Sequence, residues 1–166
     1  MDALNCLLTR RSIRKFQTQL VPKEIILNVL ECGRWAPSGV NYQPWHVFVV
    51  SDPSLKANVA KCSKYATVIE GAPHVFVIYL DKTTGYNYTK SVQSIGAFIE
   101  NLLLGLHASG LGGVWNGEIL NSCSCVDALL DIDTTKYELM AVIPFGYPAQ
   151  KGKSIRKPLD SFVTWI

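Results

Sequence analysis

The sequence predicts a mixed sheet with helices on its faces. Two runs, 46–51 and 74–80, are dense in β-branched and aromatic residues and lie near turn formers, as strands do. The stretch 91–109 carries Ile95, Phe98, Ile99, Leu102, Leu103 and Leu106, apolar almost all round, which is the pattern of a buried helix. Strands and helices also intermix without a regular βαβ rhythm.

Each element has a local reason. Asp2 is placed to cap a helix whose apolar positions are Leu4, Leu7 and Leu8, with Arg10 and Arg11 at the negative end of its dipole. Pro22 suits the first turn of a second helix, where Ile25, Ile26, Val29 and Leu30 repeat at the spacing of a buried face. That helix is expected to end near Ala36-Pro37, because the residue before a proline avoids the helical region. The strand 46–51 runs into Asp52-Pro53, which starts a helix through Lys61. After the strand 74–80 and the long helix, Gly110-Leu-Gly-Gly ends the helical run. A short helix is expected at 122–130 and a last strand at 138–145. The tail from Gly146 is rich in Gly, Pro and Lys but finishes with Phe162, Val163, Trp165 and Ile166, an ending suited to docking.

A length of 166 residues suits one domain, 1–166, with about two-thirds of the chain's surface buried on folding. Hydrophobic residues make up 48% and charged residues 17%, against a usual charged share of about 25%, so disorder is excluded. The shortage of charge hints at surface covered by a ligand or a second subunit. A net charge of +3 is too small for a general nucleic-acid or membrane binder, and no apolar run approaches the ~20 residues of a membrane span. The start lacks the features of a signal peptide, so a cytoplasmic location is expected. Cys6, Cys32, Cys62, Cys123 and Cys125 are odd in number and scattered, so they are expected to be reduced thiols. Cys123-Ser-Cys125 lacks the further ligands of a zinc site, and no metal is expected.

Four segments hold candidate chemistry. Thr9-Arg-Arg-Ser-Ile-Arg-Lys-Phe16 packs four cations into six residues beside a hydroxyl. Arginine forks match phosphate oxygens in pairs, although a solvated basic turn reads the same way. Ala36-Pro-Ser-Gly-Val-Asn-Tyr-Gln-Pro-Trp-His46 offers Asn41 and Gln43, each with a donor and an acceptor for the edge of a flat ligand, on a loop stiffened by prolines. Gly112-Gly-Val-Trp-Asn-Gly-Glu-Ile119 has glycines that let backbone N–H groups approach a ligand. Arg156-Lys157 is another phosphate-sized pair of cations. His46, His74 and His107 sit in apolar surroundings and read as packing residues more readily than as bases.

Taken together and in this order, Arg10-Arg-Ser-Ile-Arg-Lys-Phe16, the 36–46 loop, Asn101-Leu-Leu-Leu with Gly110-Leu-Gly, Gly146-Tyr-Pro and Arg156-Lys-Pro-Leu159 resemble the FMN-dependent nitroreductase family. The resemblance implies an α+β fold with a mainly antiparallel sheet. It also implies a homodimer that exchanges terminal segments and holds two FMN molecules at the subunit interface. Position by position, Arg10, Arg11 and Ser12 match residues at the FMN phosphate and ribityl end, joined by Arg156 and Lys157. Arg14 matches the cation near flavin N1 and O2, where it would stabilise negative charge. Pro37, Ser38, Gly39, Asn41 and Gln43 match a loop around the ring that the other subunit contributes. Gly117 and Glu118 match the backbone facing flavin N5.

The activity this implies is ping-pong hydride transfer from NAD(P)H, a transient donor, to nitroaromatics, quinones or similar acceptors, with no essential acid or base side chain. Against that resemblance the chain is short, and the longer helical insertion that many members use to cover the substrate pocket is not expected in it. A dehalogenase or flavin-consuming relative and a flavin-storage protein are the alternatives; a small nucleic-acid binder is a remote one.

Overall fold

The computed structural model describes residues 2–166. Four strands, β1 (Trp45–Val50), β2 (His74–Asp81), β3 (Gly112–Gly113) and β4 (Tyr137–Gly146), form one sheet in the order β1-β2-β4-β3. All three pairings are antiparallel, the character expected to dominate. Among the described residues six α-helices cover it: α1 (Ala3–Thr9), α2 (Lys23–Arg34), α3 (Pro53–Lys61), α4 (Ala66–Glu70), α5 (Tyr88–Ala108) and α6 (Cys123–Leu129).

The central strand explains the layering. In β2 every residue from His74 to Leu80 is buried, because side chains alternate in direction and both faces carry apolar residues. Phe76, Ile78 and Leu80 join Ile143 and Phe145 under α2 and α5. Val75, Val77 and Tyr79 join Leu139 and Val142 in a second cluster with Val59 of α3, Ile69 of α4 and Val126 of α6. The first layer closes tightly at Gly33, where a Cβ would fall 2.7 Å from the Phe98 ring and 2.8 Å from Leu102.

The caps behave as their sequences require. Asp2 Oδ1 accepts the Asn5 N–H at 2.9 Å and Asp52 Oδ1 accepts that of Leu55 at 2.7 Å. Asn87 accepts the Lys90 N–H at 3.1 Å, which starts α5 three residues earlier than the apolar run indicates. His74 is a packing residue. Its Nε2 accepts the Val21 N–H at 3.0 Å, which leaves Nδ1–H to donate to Ser51 Oγ at 2.7 Å.

One expectation, that of reduced cysteines, is overturned, and two helices gain detail. In α1, Leu4, Leu7 and Leu8 are 71%, 54% and 72% exposed, and Cys6 is the buried residue, because α1 meets α5 along its Cys6 side. Helix α2 ends at Arg34 with Trp35 as its cap, near the Ala36-Pro37 stop that the sequence indicates. Cys62 and Cys125 are joined in a disulfide, with Cα atoms 5.9 Å apart, rather than being reduced thiols. Their 63-residue separation gives no sequence signal; packing α3 beside α6 brings them together. Among the described residues, no helix is long and apolar enough to cross a membrane.

Candidate functional site

The cationic segment after α1 is extended and held by its one inward side chain. Ile13 is 7% exposed, and its N–H donates to the Gly113 carbonyl at 3.0 Å. Its side chain lies against Gly112, where a Cβ would fall 2.5 Å from Ile13 Cγ1. Gly112 therefore makes room for Ile13, not for a ligand as its glycine-rich setting suggested. With Ile13 turned inward, the flanking Ser12 and Arg14 turn the other way. The Ala149 N–H donates to the Lys15 carbonyl at 2.9 Å, and Phe16 bridges to Pro148, so the segment runs beside the end of β4.

Arg14 lines a cavity of about 300 Å³ with Tyr65, Trp115, Asn116, Gly117 and Glu118. One guanidinium and the backbone at 117–118, two separate expectations from the sequence, thus face the same space. Glu118 is fixed from behind. Its Oε2 accepts the Ser63 hydroxyl at 2.7 Å and the Lys64 N–H at 3.0 Å, while its own N–H donates to Asn116 Oδ1 at 3.1 Å. The Ser63 hydroxyl above all holds the Glu118 carboxyl below the usual carboxylate range.

The other cations are placed less uniformly. Arg10 Nε is buried without a hydrogen-bond partner, and its ion pair with Glu100 spans 3.5 Å. Arg11 donates to the carbonyls of Leu8 at 2.8 Å and Arg10 at 2.6 Å. Its side chain also packs against Gly152 of the tail. Ser12 is half-buried. Arg156 is exposed and turns to Ser154 and the Ile155 carbonyl; Lys157 is exposed as well. His107 donates to Thr9 Oγ1 across 2.8 Å, since that hydroxyl gives its own proton to the Asn5 carbonyl. Burial, then the charges of Arg10 and Arg11, push the His107 imidazole below its ordinary value.

The 37–43 loop lies apart from the Arg14 cavity. Pro37, Ser38 and Gly39 border a different cavity, of about 370 Å³, with Lys90, Gln93 and Ala97 of α5. Ser38 Oγ accepts the Gln43 N–H at 3.0 Å. Val40, Asn41 and Gln43 have φ of 53°, 59° and 53°, three non-glycine residues in the left-handed region. Strain of that kind persists only where surrounding contacts hold it, and it gathers at functional sites. Trp45 packs against Phe98 with ring centres 4.9 Å apart and belongs to the core.

Sequence reasoning missed Tyr65, Val68 and Ser63. They follow α3 in a stretch with no charge pattern or glycine signature, and only the packing of α4 under the cavity reveals them. Trp115 and Asn116 lay inside the glycine-rich candidate but were not singled out.

Known proteins share this fold. The nitroreductase family model matches residues 7–65 and 57–147. The chain belongs to the nitroreductase family, a family of flavin-dependent oxidoreductases. A crystal structure from Desulfovibrio desulfuricans, described as a nitroreductase in complex with FMN, is similar at 35% identity with a TM-score of 0.96, covering 100% of this chain and 98% of that one. A protein of Methanothermobacter thermautotrophicus, described as an NADH dehydrogenase/NAD(P)H nitroreductase, is 32% identical over 152 residues, covering 90% of this chain and 79% of that protein. An iodotyrosine deiodinase of Haliscomenobacter hydrossis is 25% identical over 174 residues, covering 85% of this chain and 77% of that protein.

Proposed function

We propose that this chain is an FMN-dependent oxidoreductase that draws electrons from NAD(P)H and passes them to nitroaromatics, quinones or similar acceptors. The observation that carries the reading is the cavity in which Arg14 faces the Gly117–Glu118 backbone. The residues present suit the cofactor. Three guanidiniums, Arg10, Arg11 and Arg14, and the Ser12 hydroxyl stand on one short segment, a donor set that matches phosphate oxygens. When bound, FMN supplies two-electron hydride chemistry at its N5 atom.

Arg10, Arg11 and Ser12 would hold the phosphate and ribityl end, with Arg156 and Lys157 swinging in from the tail. The Arg14 guanidinium would face the pyrimidine edge and stabilise negative charge there, the more strongly for being shielded from water. The 117–118 backbone would orient the ring from the side of N5. Pro37, Ser38, Gly39, Asn41 and Gln43 would close the site from a second copy of the chain, which accounts for the distance between that loop and the Arg14 cavity. The exposed faces support the pairing: Leu4, Leu8, Trp35 and Phe162 are each at least 65% exposed. The accessible surface of 9844 Å² also exceeds the roughly 8,000 Å² of a compact monomer of this mass. No side chain at the cavity is required as an essential acid or base. Donor and acceptor would take turns on one open face.

A second reading, reductive removal of halide from an aromatic ring, is favoured by the likeness to the deiodinase. The test is the visible spectrum of the purified chain under anaerobic conditions. Bleaching on NAD(P)H and recovery with a quinone or nitroaromatic are expected. Recovery only with a halogenated phenol, with release of halide, supports the second reading. Bound FMN that NAD(P)H never bleaches contradicts both.

A further inference from the structure

Ser63 joins a covalent crosslink to the candidate flavin cavity. Its hydroxyl donates to Glu118 Oε2 at 2.7 Å and accepts N–H groups from Asn116 Nδ2 at 3.2 Å and from the Tyr65 backbone at 3.1 Å. A serine hydroxyl offers one donor and two acceptor positions, so Ser63 is fully used. The residue before it, Cys62, caps α3 and is bonded to Cys125 of α6. Helix α6 follows directly on the 3₁₀ turn Glu118–Ser122. The stretch from Asn116 to Ser122 is therefore tied on both sides. Its front is tied through Ser63, and its rear through Cys125, to the same end of α3.

We propose that the Cys62–Cys125 bond is a redox-sensitive clamp which, through Ser63, fixes the Asn116–Glu118 backbone as a positioning element of the flavin site. The flavin part of this statement rests on the function proposed above; the clamp itself does not. Cys125 is exposed, whereas Cys62 is 5% exposed, so a dithiol reaches Cys125 first. The dithiol's thiolate attacks Cys125 Sγ, the bond to Cys62 breaks, and Cys62 leaves as a thiolate that takes a proton. The dithiol's second thiol then attacks the mixed disulfide and leaves as part of a cyclic disulfide, and Cys125 is released and protonated. Two electrons and two protons pass from the dithiol to the protein. The freed Cys62 thiol lies 3.6 Å from the Asn58 carbonyl, an acceptor already in place. The turn then keeps the Ser63 contacts, the Asn116 bridge to Val142 and the buried Ile119, but loses its covalent tie to the end of α3.

The test compares wild type before and after dithiothreitol with the Cys125→Ser chain. A thiol count shows two new thiols on reduction of the wild type and none in the variant. Backbone hydrogen exchange is read in protein stripped of flavin, which keeps this test independent of the functional reading. Exchange across 116–122 is expected to rise at least about tenfold on reduction, with β2 and α5 unmoved, because local opening is set by local restraints. The variant is expected to exchange fast there with or without dithiothreitol. In FMN-loaded protein, reduction of the clamp should slow bleaching at saturating NAD(P)H by about 2- to 10-fold, the worth of one hydrogen bond. Equal exchange at 116–122 with the bond closed and open overturns the proposal. Loosening of β2 and α5 by as much as the turn also overturns it, since the bond would then be a general staple. Loss of flavin chemistry with the exchange difference intact sinks the functional reading and leaves the clamp standing.

Discussion

Arg14 and Arg10 divide the work of the cationic segment. Arg14 opens into the cavity beside Gly117, while the Arg10 Nε faces Glu100 across 3.5 Å. Arg14→Ala is expected to retain FMN but to lower its reduction potential and slow reduction by NAD(P)H about 10- to 100-fold, the worth of a charge-assisted bond of about 1.5–3 kcal/mol. Spectroelectrochemistry and stopped-flow bleaching check this. An unchanged potential removes Arg14 from the mechanism.

His74 gives a prediction on stability. Burial, then the charge of Lys56, lowers its affinity for protons below the ordinary value near 6.5. The unfolded chain takes up a proton below about pH 6.5 and the folded chain resists, so stability is full above that pH and falls as pH drops. The slope from this group is at most about 1.4 kcal/mol per pH unit. Urea titrations between pH 7.5 and pH 5 should show the decline, and His74→Gln should flatten it.

At the scale of elements, the strongest patterns were legible. The runs in β1, β2 and β4, the length of α5 and the Asp2 and Asp52 caps all follow from local composition, because each writes its burial or cap into a few adjacent residues. Helix α4 was not legible, since Ala-Thr-Val-Ile-Glu carries β-branched residues and no cap; tertiary packing around Ile69 decides it. The Cys62–Cys125 pair escaped for a similar reason, as did Tyr65 at the cavity.

The cavity's basic segment was visible as a cluster of cations, but what fixes its direction is the pairing of Ile13 with Gly112, a contact across the sheet's edge. Gly112→Ala should therefore cost about 1–3 kcal/mol, as other overpacked sites do, and loosen FMN as Ile13 is displaced. Denaturant unfolding and flavin retention measure the two effects. Full stability with full flavin occupancy would show that Ile13 does not anchor the segment.

For the whole molecule, the proposed reading assigns one chain two unlike halves of a site. The cationic half surrounds Arg14, and the strained 37–43 loop lies elsewhere with Val40 76% exposed. The apolar tail belongs to the same pattern, with Trp165 93% exposed. The shortage of charge that hinted at a covered surface thus has a physical counterpart in leucines and tryptophans facing solvent on a single copy. The sequence alone shows both halves as motifs but not their separation, because distance between loops is set by the sheet between them.

Mixed dimers test this most directly. One chain carries Arg10→Ala and Arg11→Ala; the other carries Asn41→Ala and Gln43→Ala. Each is expected to be inactive with itself. If sites are shared between copies, co-folding the two creates hybrids with one intact site, and flavin that NAD(P)H bleaches reappears. If the mixture stays as flavin-free as its parents while hybrids form, each site lies within one chain and the account is wrong.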